Sequence, residues 1–270
     1  MQINIENLKY GIILVKSKKK QKKKPSSDLS PVALYELGMN QYLEKNEYVE
    51  SLKNLKKAAK LGFKKAYGEI GIILYREKNN PEEAEKWFIK AEKKKSLDPP
   101  AAYEYGMLYY LEKGDWETAL KYLKLSADQG YELAFGDIGT ILYLETDKTD
   151  EAVAWFEKAV NADCILAPAA YYYSMLLMLE KNKWNESLIY LKKAAEEEYE
   201  LAYGDFATVL YLEKNDIEEA EKWFKKAEKV NALTPPNAYQ YGMLLIQEKG
   251  DIKNGNFYLD MAAEGGLEIS

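Results

Sequence analysis

The chain has 270 residues, 47% of them hydrophobic and 30% charged, enough to bury a large core. With no histidine and a single cysteine, Cys164, it excludes Ser/His/Asp and Cys/His relays, histidine-ligated metals, internal disulfides and thiolate-clustered zinc. The formal net charge of −6 is unevenly placed: residues 1–24 carry +7, which leaves −13 on residues 25–270.

Residues 1–30 read as a basic N-terminal segment and linker. Gly11 to Val15 is the longest early apolar run, far below the roughly 20 residues that span a bilayer. Lysines follow that run rather than precede it, the wrong order for a secretory signal. No membrane partner and a cytoplasmic location are therefore expected. The lysine run ending at Lys18 to Lys24 repels itself and cannot build a core, so it reads as solvated linker. Nucleic acid is expected to bind only weakly there, because no aromatic residue is interleaved to stack on bases. Gly11-Ile12-Ile13-Leu14 echoes Gly71-Ile72-Ile73-Leu74. The first 24 residues thus read as a degenerate half-repeat capping the array, with a short strand from Ile3 to Val15 as the competing reading.

From residue 31 the chain matches itself at an offset of 68. Glu82-Glu83-Ala84-Glu85-Lys86-Trp87-Phe88 returns two steps later as Glu218-Glu219-Ala220-Glu221-Lys222-Trp223-Phe224, with Glu151-Ala152-Val153-Ala154-Trp155-Phe156 between them. Gly38, Gly106, Ser174 and Gly242 keep the same spacing, as do Gly71, Gly139 and Ala207. Each 68-residue unit divides into halves of 33 and 35 residues. Seven halves start near Ala33, Ala66, Ala101, Ala134, Ala169, Ala202 and Asn237. A fixed period in this range means a stacked array in which no unit buries its apolar face alone.

Each half reads as two antiparallel helices. Tyr105, Leu108 and Tyr109 recur at three- and four-residue spacing, which suits an amphipathic helix. Gly114 then offers a left-handed stop and Asp115 a cap for the next helix. Asn80-Pro81-Glu82-Glu83 supplies a cap, a first-turn proline and a capping box. The second helices carry Ala84, Trp87, Phe88 and Ala91, and the tryptophans Trp87, Trp155 and Trp223 are expected in the core. The fold class is all-α, a right-handed superhelical solenoid of about seven helix-turn-helix repeats over residues 31–270.

The order of Gly106, Tyr109, Ala119 and the later small residues resembles the tetratricopeptide repeat. The endings Leu55-Lys56-Lys57-Ala58-Ala59-Lys60-Leu61-Gly62 and Leu125-Ser126-Ala127-Asp128-Gln129-Gly130 look more like the related Sel-one-like repeat. The short connections Glu44-Lys45-Asn46 and Glu112-Lys113-Gly114 depart from the longer Gly-rich loop usual in Sel-one-like repeats. The resemblance implies non-catalytic binding of protein partners along a concave face lined by the first helices.

One column of residues fits such a face. Tyr35, Met39 and Tyr42 recur as Tyr103, Met107 and Tyr110, then as Tyr171, Met175 and Met178, and finally as Tyr239, Met243 and Ile246. Steps of four and three put each trio on one helical face. Either the column packs neighbouring first helices together or it lines a groove, where tyrosine and methionine offer large, adaptable apolar area. The alternate halves place Glu69, Asp137 and Asp205 after a glycine at this face. If open, the groove would receive a basic or extended segment of another protein. A body of charge −13 would suit an inhibitor or immunity protein masking a basic toxin. No cofactor and no metal are expected. The alternative, a hydrolase on the repeat scaffold, meets the obstacle that Glu196, Glu197 and Glu198 are consecutive helical residues and do not converge on one cleft. Cys164, without a histidine, reads as a packed small hydrophobe rather than a nucleophile.

Overall fold

The computed structural model describes residues 29–268, so the readings made for residues 1–28 lie outside it. The described residues form 14 α-helices and no strand. They fall into two compact units. The first holds α1 (Pro31–Leu43), α2 (Tyr48–Lys60), α3 (Ala66–Arg76), α4 (Pro81–Lys93), α5 (Pro99–Lys113), α6 (Trp116–Asp128) and the start of α7 (Ala134–Glu145), through Ile138. The second begins at Gly139 and holds the rest of α7, α8 (Thr149–Asn161), α9 (Ala167–Leu179), α10 (Trp184–Glu196), α11 (Leu201–Leu212), α12 (Ile217–Lys229), α13 (Pro235–Lys249) and α14 (Ile252–Glu264). Within the units, α1, α3, α5, α9, α11 and α13 each pair with the even-numbered helix that follows.

Local chemistry sets these boundaries. Ser30, Asn80, Asp98, Asp115, Asp216, Thr234 and Asp251 each accept a hydrogen bond from a backbone N–H in the first helical turn. Prolines sit at the first turn of α1, α4, α5, α9 and α13, where no N–H is needed. Left-handed residues end the helices with the period of the sequence. Asn46, Gly114, Asn182 and Gly250 occupy one turn position, and Gly62, Gly130, Glu198 and Gly266 another. Asparagine and glycine tolerate that conformation, whereas Glu198 is the exception in its series. The Asn80 cap forms as expected, but Glu83 does not reach back to close a capping box. Its carboxylate takes Lys56 at 2.9 Å, and the Asn80 N–H donates to Leu74 O instead.

An aromatic triplet recurs in the core among buried Ala, Leu and Ile side chains. In the first unit Tyr105 lies 5.2 Å from Phe88 and 4.4 Å from Tyr122, centroid to centroid. The second unit holds the same arrangement twice, as Phe156–Tyr173–Tyr190 and Phe224–Tyr241–Tyr258. Phe88, Phe156 and Phe224 are fully buried. Gly71 makes room for the first of them, since a Cβ there would meet the Phe88 ring at 2.5 Å. The expectation that the tryptophans are the core anchors is corrected here. Ala84, Phe88 and Ala91 form the buried stripe at i, i+4 and i+7, and Trp87 sits beside it, half-buried against Tyr67. Lys90 caps the Trp87 ring at 4.1 Å, Lys158 caps Trp155 at 3.6 Å and Lys226 caps Trp223 at 4.5 Å, so each indole shields a helix edge under a cation.

Candidate functional site

The first helices of successive repeats are tied by tyrosine–carboxylate rungs. In the first unit the Tyr35 hydroxyl donates to Glu69 at 3.2 Å, and that of Tyr103 to Asp137 at 2.7 Å. In the second, Tyr171 donates to Asp205 at 2.9 Å. The structure thus joins members of the tyrosine column to members of the acidic set, one repeat to the next. Every rung tyrosine is also clasped by an aromatic ring from the turn after its second helix: Phe63 at 4.7 Å from Tyr35, Tyr131 at 5.2 Å from Tyr103, Tyr199 at 5.3 Å from Tyr171. Sequence reasoning missed these partners, although they too recur every 68 residues.

The rungs hold their carboxylates in an unfavourable setting. Burial, reinforced by the neighbouring Asp98 charge, pushes Glu69 up to about 8, against the Tyr35 hydrogen bond and Lys65. Burial pushes Asp137 up to about 6 and also raises Asp205. The phenols of Tyr35, Tyr103 and Tyr171 are pushed far up, first by burial and then by these carboxylates, so they stay donors at any physiological pH.

The remaining column residues fall in two environments. Met39, Met107, Tyr110, Met175, Met178, Tyr239 and Met243 are half-buried, each keeping part of its surface open. Tyr42 is buried against Tyr48 and donates to Glu77 at 3.3 Å. Nearby, the only arginine of the chain, Arg76, pairs with the buried Glu104 from α3 to α5, a link with no counterpart in other repeats and no signal in the periodicity. Glu196 and Glu197 are engaged by Lys192 and Lys193 one turn earlier.

A pocket of about 190 Å³ opens in the second unit, lined by Met178, Trp184, Asp205, Thr208, Val209, Leu212 and Glu213. Met178 and Asp205 belong to the column and the acidic set; the other five were not singled out in the sequence. Asp205 is held from both oxygens, by Tyr171 on one and by Asn237 Nδ2 at 3.0 Å on the other. Thr208 donates to Asn237 Oδ1 at 2.9 Å and completes the network. Asn237 stands where the other repeats carry Ala33, Ala101 and Ala169, and it presses on the bare backbone of Gly204.

The Sel1 repeat pattern matches residues 31–63, 67–96, 99–131, 139–164, 166–199, 198–229 and 237–267. The chain belongs to the Sel1 repeat family. Among solved structures, it is similar to a protective antigen of uropathogenic Escherichia coli displaying an SLR fold, at 22% identity and a TM-score of 0.68. That match covers 88% of this chain and 54% of the antigen, so the chain spans about half of that relative. It is likewise similar to a Sel1 repeat protein from Oxalobacter formigenes, at 22% identity and TM-score 0.60, over 85% of this chain and 99% of that one. YrrB, a TPR protein with an unusual peptide-binding site, matches at 20% identity and TM-score 0.52 over 66% of this chain and 92% of its own. No curated protein matches. At these identities the structural likenesses establish the fold alone: an all-α helical-repeat solenoid built from Sel1 repeats. Among the described residues, no helix is long and apolar enough to cross a membrane.

Proposed function

We propose that this Sel1 repeat chain is a non-catalytic scaffold that binds another protein, without a cofactor, on the face made by its first helices. The observation that carries the reading is the half-open tyrosine–methionine column braced by its own rungs. Tyr103 and Tyr171 are fixed by carboxylates and aromatic clasps before any partner arrives, which lowers the ordering cost of association. Met107, Met175, Met178 and Met243 supply adaptable apolar area beside them. Glu69, Asp137 and Asp205 stand on the same face as the acceptors that hold Tyr35, Tyr103 and Tyr171 in place. The −13 on residues 25–270 favours a basic partner, and an inhibitor or immunity protein masking a cationic toxin in the cytoplasm is the form of this role that such a charge suits best.

The reading is tested by capture from the native host with the wild-type chain and with Met175→Lys/Met178→Lys, both positions being half-buried rather than core. A partner held by the wild type and released by the double variant, with the urea midpoint nearly unchanged, is the expected result. Equal capture by both would place binding elsewhere.

A further inference from the structure

The pocket of the second unit has a composition that selects its occupant. Its walls are apolar: Met178 from α9, the Trp184 indole at the start of α10, and Val209 and Leu212 from α11. Trp184 and Leu212 are 43% and 56% exposed, large apolar groups left open to solvent. Two carboxylates, Asp205 and Glu213, line the same space, and among the described residues no cation does. The lysines closest in sequence are engaged elsewhere: Lys181 with Asp150 at 2.6 Å, Lys183 with Glu186 at 3.1 Å, and Lys214 with Asn185 at 3.2 Å.

Resting on the scaffold reading above, we propose that this pocket is the anchor point of the partner and takes one lysine or arginine side chain from an extended segment. The cavity of about 190 Å³ opens to solvent, so a side chain can enter it from outside. A basic side chain matches the pocket along its length. Its methylene stem lies on Met178, Val209 and Leu212, as long cationic side chains lie on apolar surface generally. Its head meets Asp205 and Glu213, with the Trp184 face available to the cation. Tyr171 and Asn237 each take one Asp205 oxygen and leave each a second lone pair, so the carboxylate is oriented but not exhausted. Burial already disfavours the charged form of Asp205, and an incoming cation relieves that penalty. An acidic or wholly apolar occupant would leave both carboxylates without a counter-charge.

The test is selection of a displayed library of random twelve-residue peptides on the full chain, followed by titration of an enriched peptide. The expected result is enrichment of a lysine or arginine flanked by apolar residues. Replacing that residue by norleucine weakens binding at least tenfold, Leu212→Lys does the same, and Glu213→Gln weakens it about threefold. Leu212 and Glu213 are exposed, so both variants fold, and their melting curves check this. Enriched peptides without a basic residue, or basic peptides indifferent to norleucine or to Leu212→Lys, overturn the pocket assignment and leave the scaffold reading standing. No enrichment on the wild-type chain overturns this proposal, and capture of a partner by the wild-type chain then decides the scaffold reading separately.

Discussion

At the residue scale, the clearest anomaly is Glu198, held at φ 65° where Gly62, Gly130 and Gly266 occupy the equivalent turns. A left-handed L-residue costs roughly 1–2 kcal/mol, partly offset by the entropy that glycine loses on folding. Glu198→Gly should therefore stabilise the second unit by about 0.5–1 kcal/mol, read as a higher urea midpoint. A second prediction concerns Glu69. Its carboxyl ionises at an ordinary pH of about 4.5 when unfolded and only near 8 when folded, because of burial and Asp98. Between those values the unfolded state gives up a proton that the folded state keeps, so stability falls as pH rises from about 4.5 to 8. Glu69→Gln should flatten that part of the stability–pH curve and leave the acidic end unchanged; an unchanged slope would show that Glu69 ionises freely. The sequence made the acidic positions visible through their period. It could not show that they are hydrogen-bonded to tyrosines 34 residues earlier, because that pairing depends on how far apart successive first helices sit.

At the element scale, helix pairs and their ends were legible because caps, prolines and left-handed stops are local chemistry. Asn80, Gly114 and Asp115 take the backbone roles their residue types imply. The packing register was less legible. Trp155 and Phe156 are adjacent aromatics in α8, and composition favours the larger as the anchor, yet the Ala152, Phe156, Ala159 stripe is what faces inward. Phe156→Ala should cost about 3–5 kcal/mol, as for a buried aromatic. Trp155→Ala, at a half-buried and lysine-capped site, should cost closer to about 1 kcal/mol. Denaturant titration of the two variants checks the order; a larger loss at Trp155 would reverse the assigned register. Arg76–Glu104 was invisible for the opposite reason: a unique pair leaves no trace in a repeat.

At the scale of the whole molecule, repetition gives every first helix a similar face, and departures from the repeat single out one place on it. Asn237 and Met178 differ from their counterparts Ala169 and Tyr110, and both belong to the region of the second-unit pocket. The charge of residues 25–270 makes a broad prediction: association with a basic partner should slow at least tenfold between 50 and 500 mM salt, with dissociation changing less. The claim that the first helices carry the binding face is tested most directly by hydrogen–deuterium exchange of the captured complex against the free chain. Protection on binding should concentrate in the amides of α9, α11 and α13 or of α1, α3 and α5, with α8, α12 and α10 beyond its Trp184 end little changed. Protection confined to the second helices or to the turns between them would contradict the account.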